Sequence, residues 1–376
     1  MKLVHFEMER WQSRFEHRVR HNLSESGVHP LTTGELLDLT GDALDLRAPR
    51  LGYGQSNGSD ELRALVAGLY EGADDASVVA TTGGAEANFA AAWRLMELGP
   101  MAALLPNYMQ APGILESMAV PVLPVPLREE EGWQPDLQAL ADALAQGARS
   151  ILITHPNNPT GAALNDESRR SIVQMARDSG AWILSDEVYR GAEPSGVETP
   201  SLWGTYERVL VTGSLSKAYG LPGLRVGWLV GPRDVTEDLW ARKDYTTIAP
   251  ATLSDALARV ALRPGNREKV LERTRGIIRE NLPVVERWVE ARADDFSFRP
   301  PDAGAICYMA YRRGPDSLAL AEHLRTRHSL LVVPGAHFGM GRFLRIGFGP
   351  PRAELEEALI RLGEGYDEIA GTGGER

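Results

Sequence analysis

The sequence predicts an α/β fold, with a large domain on a mainly parallel sheet and a smaller α+β unit beside it. Three observations predict it. The chain has 376 residues, more than one ordinary core organises, so about two domains are expected. From about residue 60 to 230, short apolar runs alternate with amphipathic helical stretches, the pattern of strands joined by crossover helices. After Ala293 the runs become strand-rich again and close on a helix from Arg352.

Taken in order, the first twenty residues read as a short helix, with Phe6, Trp11 and Phe15 as anchors. An irregular loop, Asn22 to Pro30, follows. Thr33, with Glu35, Leu36 and Leu37 behind it, reads as the cap of a short helix. Asp60–Tyr70 is helical by its spacing. The strands expected next are Ser77–Ala80, Met101–Leu105, Val120–Val125, Ser150–Thr154, Ala181–Leu184, Arg208–Val211 and Arg225–Val230. Helices at Ala85–Leu98, Asp136–Ala145 and Asp166–Ser179 lie between them. Residues 235–292 read as mostly helical. Strands are expected at Ile306–Tyr311, Leu330–Val333 and Phe343–Phe348, and a frayed end at 371–376. There is no internal repeat.

Composition narrows the function. Hydrophobic residues make up 43% and charged residues 24% of the chain, the balance of a folded globular protein rather than a disordered one. A formal charge of -11 repels nucleic acid and anionic lipid, so neither is an expected partner. The single cysteine, Cys307, rules out an intrachain disulfide, and its apolar neighbours suggest a buried strand. The first twenty residues carry charges throughout, and no run approaches the roughly 20 apolar residues of a membrane span, so a cytoplasmic protein is expected. The eight histidines show no metal-ligand spacing, and no metal is expected.

Sheets of this kind place ligands at the carboxyl ends of their strands. Six such places carry polar or glycine clusters. Thr81-Thr82-Gly83-Gly84-Ala85 opens a helix whose free N–H groups suit an anion. Tyr108 follows Leu105-Pro106-Asn107 and suits a flat ring. Asn157-Asn158-Pro159-Thr160-Gly161 is a rigid turn that aims an amide. Asp186, in Ser185-Asp186-Glu187-Val188-Tyr189, is an acid at the end of a buried strand, where it needs a cationic partner. Lys217, in Gly213-Ser214-Leu215-Ser216-Lys217, is a candidate Schiff-base lysine, with Arg225 eight residues on for a phosphate. Arg345 is a lone cation in an apolar strand. A simple turn or packing role competes at each place alone. Jointly they supply an anion cradle, a stacking ring, an amide, a carboxylate, a lysine and two arginines. Few ligands besides pyridoxal 5'-phosphate need that set.

In the order and spacing of these motifs, from about Ser24 to Leu362, the chain resembles the class I/II aminotransferases, fold type I pyridoxal-phosphate enzymes. The resemblance implies a mainly parallel seven-stranded sheet in a large domain, 45–290. It implies a small domain made of an N-terminal arm, 1–44, and a C-terminal α+β unit, 291–376. It further implies that Lys217 carries the cofactor as a Schiff base and that Asp186 pairs with its ring nitrogen. Asn158 and Tyr189 would bond the phenolic oxygen, and Tyr108 would stack on the ring. Gly84, Ala85, Ser214, Ser216 and Arg225 would cradle the phosphate. Tyr53 would reach the phosphate of a neighbouring subunit, making a homodimer with shared sites. Arg345, Asn158 and Val28 would contact substrate, and His29, Tyr245, Thr246 and Thr247 are further pocket candidates.

Two segments, Leu23–His29 and Ser216–Gly223, are similar to the capreomycidine synthase branch, whose enzymes cyclise a hydroxylated arginine. Asn157-Asn158 and Asp186-Glu187-Val188-Tyr189 instead keep the ordinary aminotransferase form. The resemblance therefore implies transfer of an amino group from an L-amino acid to a 2-oxo acid. A pyridoxal-phosphate lyase or cyclase and an amino-acid oxidase are the alternatives.

Overall fold

A computed structural model describes residues 2–370; the expected frayed end at 371–376 lies outside them. The large sheet has eight strands: β1 (Val78–Thr81), β2 (Met101–Leu105), β3 (Val122–Arg128), β4 (Gln134–Pro135), β5 (Ser150–Thr154), β6 (Trp182–Asp186), β7 (Val209–Ser214) and β8 (Gly227–Val230). Their spatial order is β1-β8-β7-β6-β5-β2-β3-β4. Strands β7, β6, β5, β2 and β3 pair in parallel, whereas β8 runs antiparallel to both β1 and β7. The seven expected strands are all present. The eighth, β4, is a two-residue strand antiparallel to β3, with no apolar run to announce it.

Alternate residues of each strand enter different cores, as a period of two requires. Ile151 and Ile153 belong to one cluster and Leu152 to the other. The sheet is thus covered on both faces, which is why its strands read as continuous apolar runs. On one face the Gly83–Met96 helix presents Ala87, Ala90, Ala91 and Leu95, mostly small side chains that let it lie close.

The C-terminal unit holds an antiparallel four-stranded sheet in the order Phe296–Phe298, Ile306–Tyr311, Phe343–Gly347, Val333–Pro334. Cys307 is buried in its second strand. The arm joins this unit. His21–Asn22 pairs in parallel with Leu330–Leu331, and the Gly347 N–H donates to the Leu23 carbonyl at 2.7 Å.

The N-terminal helix is shorter than expected, Glu7–Phe15, but its anchors are the expected ones. Trp11 Nε1 donates to the Val332 carbonyl at 2.9 Å, Phe6 packs edge-on against Tyr108, and Trp11 against Phe15. The following helix is capped one residue earlier than expected. The Thr32 hydroxyl accepts from the Glu35 N–H, and the Glu35 carboxylate accepts from the Thr32 N–H, a reciprocal box. No helix among the described residues is long and apolar enough to cross a membrane.

Candidate active site

The carboxyl ends of β1, β2, β5, β6 and β7 share one edge of the sheet. Because β8 runs the other way, its first residue, Gly227, sits at that same edge, beside Thr81 and Ser214. That reversal brings Arg225, two residues ahead of Gly227, to the other motifs. A cavity of about 340 Å³ opens there, and its wall includes Gly84, Ala85, Tyr108, Asn158, Asp186, Tyr189, Ser214, Ser216, Lys217 and Arg225.

The anion end is built on close backbone approach. Gly83 has φ 78°, and a Cβ there would strike the Arg225 guanidinium. A Cβ on Gly227 would lie 2.4 Å from the Gly83 carbonyl carbon. Glycine is thus required at both positions for β8 and the arginine to reach the helix start. Arg225 Nη1 donates to the Ser216 hydroxyl at 3.4 Å, and the Ser216 N–H donates to the Ser214 hydroxyl at 3.2 Å. Arg225 is exposed at the cavity mouth and forms no ion pair with a protein carboxylate among the described residues. Behind this end, Glu86 accepts from the Thr82 N–H at 2.6 Å and from the Thr247 hydroxyl at 2.7 Å, with the Thr246 hydroxyl also bonded to it.

Asp186 is buried at the far end. It accepts from the Asn88 amide at 2.8 Å and the Val188 N–H at 3.3 Å, and the Thr212 hydroxyl orients Asn88 by donating to its Oδ1 at 2.8 Å. Burial pushes Asp186 up to about 6, against these hydrogen bonds and the field of Lys217, which act to lower it. Lys217, with 26% of its side chain exposed, has Nζ 3.9 Å from a Glu25 carboxylate oxygen.

The Asn157–Gly161 turn is locked by its own bonds. Asn157 Oδ1 accepts from the Thr160 N–H and hydroxyl, its amide donates to the Pro106 carbonyl, and the Asn158–Pro159 peptide is cis. Asn158 Oδ1 accepts from Arg345 Nη1 at 3.2 Å. The Tyr189 hydroxyl is fully buried and has no well-formed hydrogen bond, although Ser26 lies beside it; burial pushes it up to about 12.

Arg345 is 1% exposed. Its Nη1 also meets Met8 Sδ at 3.1 Å, Nη2 donates to the Ser24 carbonyl, and Nε is unpartnered. Among the described residues it forms no ion pair with a carboxylate. A buried guanidinium without an anion is costly, and burial holds it below the usual arginine range.

Part of the wall was not among the expected site residues. Met8, Glu9, Gln12, Ser13 and Glu16 line the cavity. Their helical spacing puts them on one face, a signal present in the sequence beside the apolar anchors. Glu25 and Ser26, from the segment after the arm's short strand, complete this side. Tyr108 Oη donates to Glu9 at 2.9 Å. Asn88 had its own signal, lying one helical turn beyond Gly84.

Other candidates lie apart. Tyr53 is 94% exposed, outside the cavity. Val28 does not line the cavity; it is buried, with its side chain against Gly220 and its backbone against Gly349. His29 Nδ1 lies 3.0 Å from the Gly349 carbonyl. Tyr245 is exposed, edge-on to Trp93. Sequence spacing suggested no metal ligands, yet the fold brings His323, His328 and Glu368 together outside the cavity wall. There one Glu368 oxygen lies 2.8 Å and 3.1 Å from the two Nε2 atoms.

The sequence model described as aminotransferase class I and II matches residues 31–362. A capreomycidine synthase from Streptomyces vinaceus is 33% identical over 369 residues, 95% of this chain and 92% of that protein. Among solved structures, a pyridoxal-phosphate-dependent aminotransferase from Streptococcus suis is 31% identical, with a TM-score of 0.92 over 98% of this chain and 99% of that one. A pyridoxal-phosphate-dependent cyclase, OrfR, is 26% identical, with a TM-score of 0.89 over 98% of both chains.

Proposed function

Because this chain belongs to the class I and II aminotransferase family, whose cofactor is pyridoxal 5'-phosphate, we propose that it transfers the amino group of an L-amino acid to a 2-oxo acid. One observation carries the reading. A lysine and a buried aspartate line one cavity, and a buried arginine stands behind its wall, bonded to Asn158.

The residues fit the cofactor. Asp186 and the Tyr189 hydroxyl are buried groups that lack the partners a protonated ring nitrogen and a phenolic oxygen would supply. The Gly83–Gly84 turn and Arg225 offer N–H donors and a cation to a phosphate. When bound, pyridoxal phosphate supplies an electron sink for the bond broken at the α-carbon.

The chain does the rest. Lys217 would hold the cofactor through its amine, and that amine would serve as the general base for the α-proton. Asp186 keeps the ring nitrogen protonated, because a fixed negative charge favours the cation beside it. Gly84, Ala85, Ser214, Ser216 and Arg225 would hold the phosphate, Tyr108 would cover the ring face, and Asn158 and Tyr189 would orient the ring oxygen. Arg345 and Asn158 hold the substrate carboxylate, while Val28 packs behind. Tyr53 lies among exposed apolar side chains, with Leu51 83% exposed, which supports a homodimer whose interface covers them.

A second reading, elimination or ring closure, is favoured by the Glu25 carboxyl, 3.9 Å from Lys217 Nζ, with Glu16 lining the same cavity. Glu16 is raised by burial and by Glu25. Mixing holoenzyme with single amino acids and no keto acid separates the two. Conversion to the aminated cofactor, reversed by a keto acid, is the expected result. Release of ammonia or a cyclised product without that conversion would replace transamination.

A further inference from the structure

We infer that His323, His328 and Glu368 form a site for a divalent transition-metal ion of the zinc type, which ties the helix Arg352–Ala370 to the helix Ser317–His328. The inference is independent of the cofactor and of the reaction proposed above.

The donors converge from two packed helices. His323 and His328 belong to Ser317–His328, and Glu368 belongs to Arg352–Ala370. One nitrogen of each ring and one carboxylate oxygen lie within 4.8 Å of one another. The Glu368 oxygen is 2.8 Å from His323 Nε2 and 3.1 Å from His328 Nε2. Zinc holds imidazole nitrogen and carboxylate oxygen at about 2.0–2.2 Å, which sets neighbouring tetrahedral ligands roughly 3.3 Å apart. The two edges fall short of that by a few tenths of an ångström, so small side-chain rotations admit the ion.

The donor types are selective. Two imidazoles and a carboxylate suit zinc, whereas magnesium and calcium take oxygen ligands. No arginine or lysine competes for the carboxylate. Among the described residues Glu368 forms ion pairs with the two histidines alone, while Arg325 is held by Glu322 and Arg361 by Glu364.

The seating of His328 is a second observation. Its side chain is only 9% exposed. The room comes from Gly365 on the facing helix, where a Cβ would lie 2.8 Å from His328 Cδ2 and 2.6 Å from Leu324 Cδ2. Glycine inside a helix is otherwise unfavourable. The backbone is fixed as well, because the carbonyl of the next residue, Ser329, accepts from the Arg20 and His21 N–H groups. His328 Nδ1 stands 3.9 Å from a Glu364 oxygen. A carboxylate on that side favours the proton at Nδ1 and leaves the Nε2 lone pair for a metal. In that tautomer Nε2 has no proton to give Glu368, so their close approach needs a cation between them, a metal ion or a second ring proton.

Five residues separate the histidines, not the four that put two ligands on one helix face, so spacing did not announce them. Three protein ligands leave a tetrahedral ion one position for water.

The test is calorimetric titration of untagged, chelator-treated holoenzyme with zinc chloride, with thermal unfolding alongside. One zinc per chain and a rise in Tm are expected, and magnesium chloride is expected to give neither. His323→Gln and Glu368→Gln keep a hydrogen-bonding side chain. Each is expected to weaken zinc binding at least about tenfold and to abolish the rise in Tm, with the fold checked by circular dichroism. Absence of saturable zinc binding would overturn the site and leave a hydrogen-bonded cluster shared by a proton. Zinc binding that both variants retain would overturn it too, by placing the ion elsewhere, as would magnesium binding as tight as zinc.

Discussion

Asn88 donates its side-chain amide to Asp186 at 2.8 Å and is itself fixed by the Thr212 hydroxyl. The three residues come from a helix and two neighbouring strands. The pair sets how readily Asp186 stays ionised, since burial favours the neutral acid and the amide favours the carboxylate. Hydrogen bonds to charged groups contribute about 1.5–3 kcal/mol. Asn88→Ala is therefore expected to weaken pyridoxal phosphate binding tenfold or more, read by equilibrium dialysis. Unchanged affinity would mean that the amide does not support the ionised acid.

The same burial makes Asp186 a source of pH-dependent stability in the cofactor-free protein. Its folded value, about 6, lies above the ordinary 3.8. The favourable contribution is thus complete below about pH 4 and lost as pH rises through 6. Two pH units correspond to something on the order of 3 kcal/mol. Cofactor-free Asp186→Asn is expected to be more stable than wild type above pH 6 and to converge with it near pH 4 in urea titrations. Parallel curves across that window would contradict the assignment. The holoenzyme variant is expected to lose turnover.

Lys217→Ala is expected to retain the cofactor, because the phosphate contacts remain, but to show no turnover with any amino acid. Dialysis followed by an absorbance spectrum checks the first part and a product assay the second. Residual turnover would remove Lys217 from its role.

Gly27 lies against that lysine. A Cβ on it would sit 3.6 Å from Lys217 Cδ and 3.4 Å from the Ser216 carbonyl oxygen, which an alanine tolerates. The longer branches of Gly27→Val would press on the lysine stem. Near-normal cofactor content in Gly27→Ala and a marked loss in Gly27→Val are expected, with both variants folded by circular dichroism.

Arg345→Gln keeps a hydrogen-bonding group but removes the charge that would hold a carboxylate. It is expected to raise KM for amino acids by at least tenfold, with a smaller effect on cofactor content. An unchanged KM would place the substrate carboxylate elsewhere.

The sheet was legible because its strands are buried on both faces and so appear as bare apolar runs, as Ile151, Leu152 and Ile153 illustrate. The two-residue strand Gln134–Pro135 and the helix Gln110–Ser117 carry no such run and were not visible. At the site, residues at strand ends could be found because the strands themselves could. Glu9 and Glu16 could not be found that way, since a helix face shows nothing of the surface it meets. Only the fold reveals that their face lines the cavity that holds Lys217. Val28 illustrates the converse: it lies in a segment that borders the cavity, yet the close approach of Gly349 turns it into the packing.

The chain divides its labour between parts with different freedom to change. The groups proposed to face the cofactor sit at the ends of the sheet's buried central strands, so substitutions there disturb the core. The opposite wall is a nine-residue helix held by Trp11 and a few ring contacts. Glu9, Ser13 and Glu16 on its cavity face can change while Trp11 and the buried Gln12, whose amide donates to the Ser24 carbonyl at 2.7 Å, stay. Substitutions on that face change the cavity wall from the chain's beginning and leave the residues at the strand ends untouched.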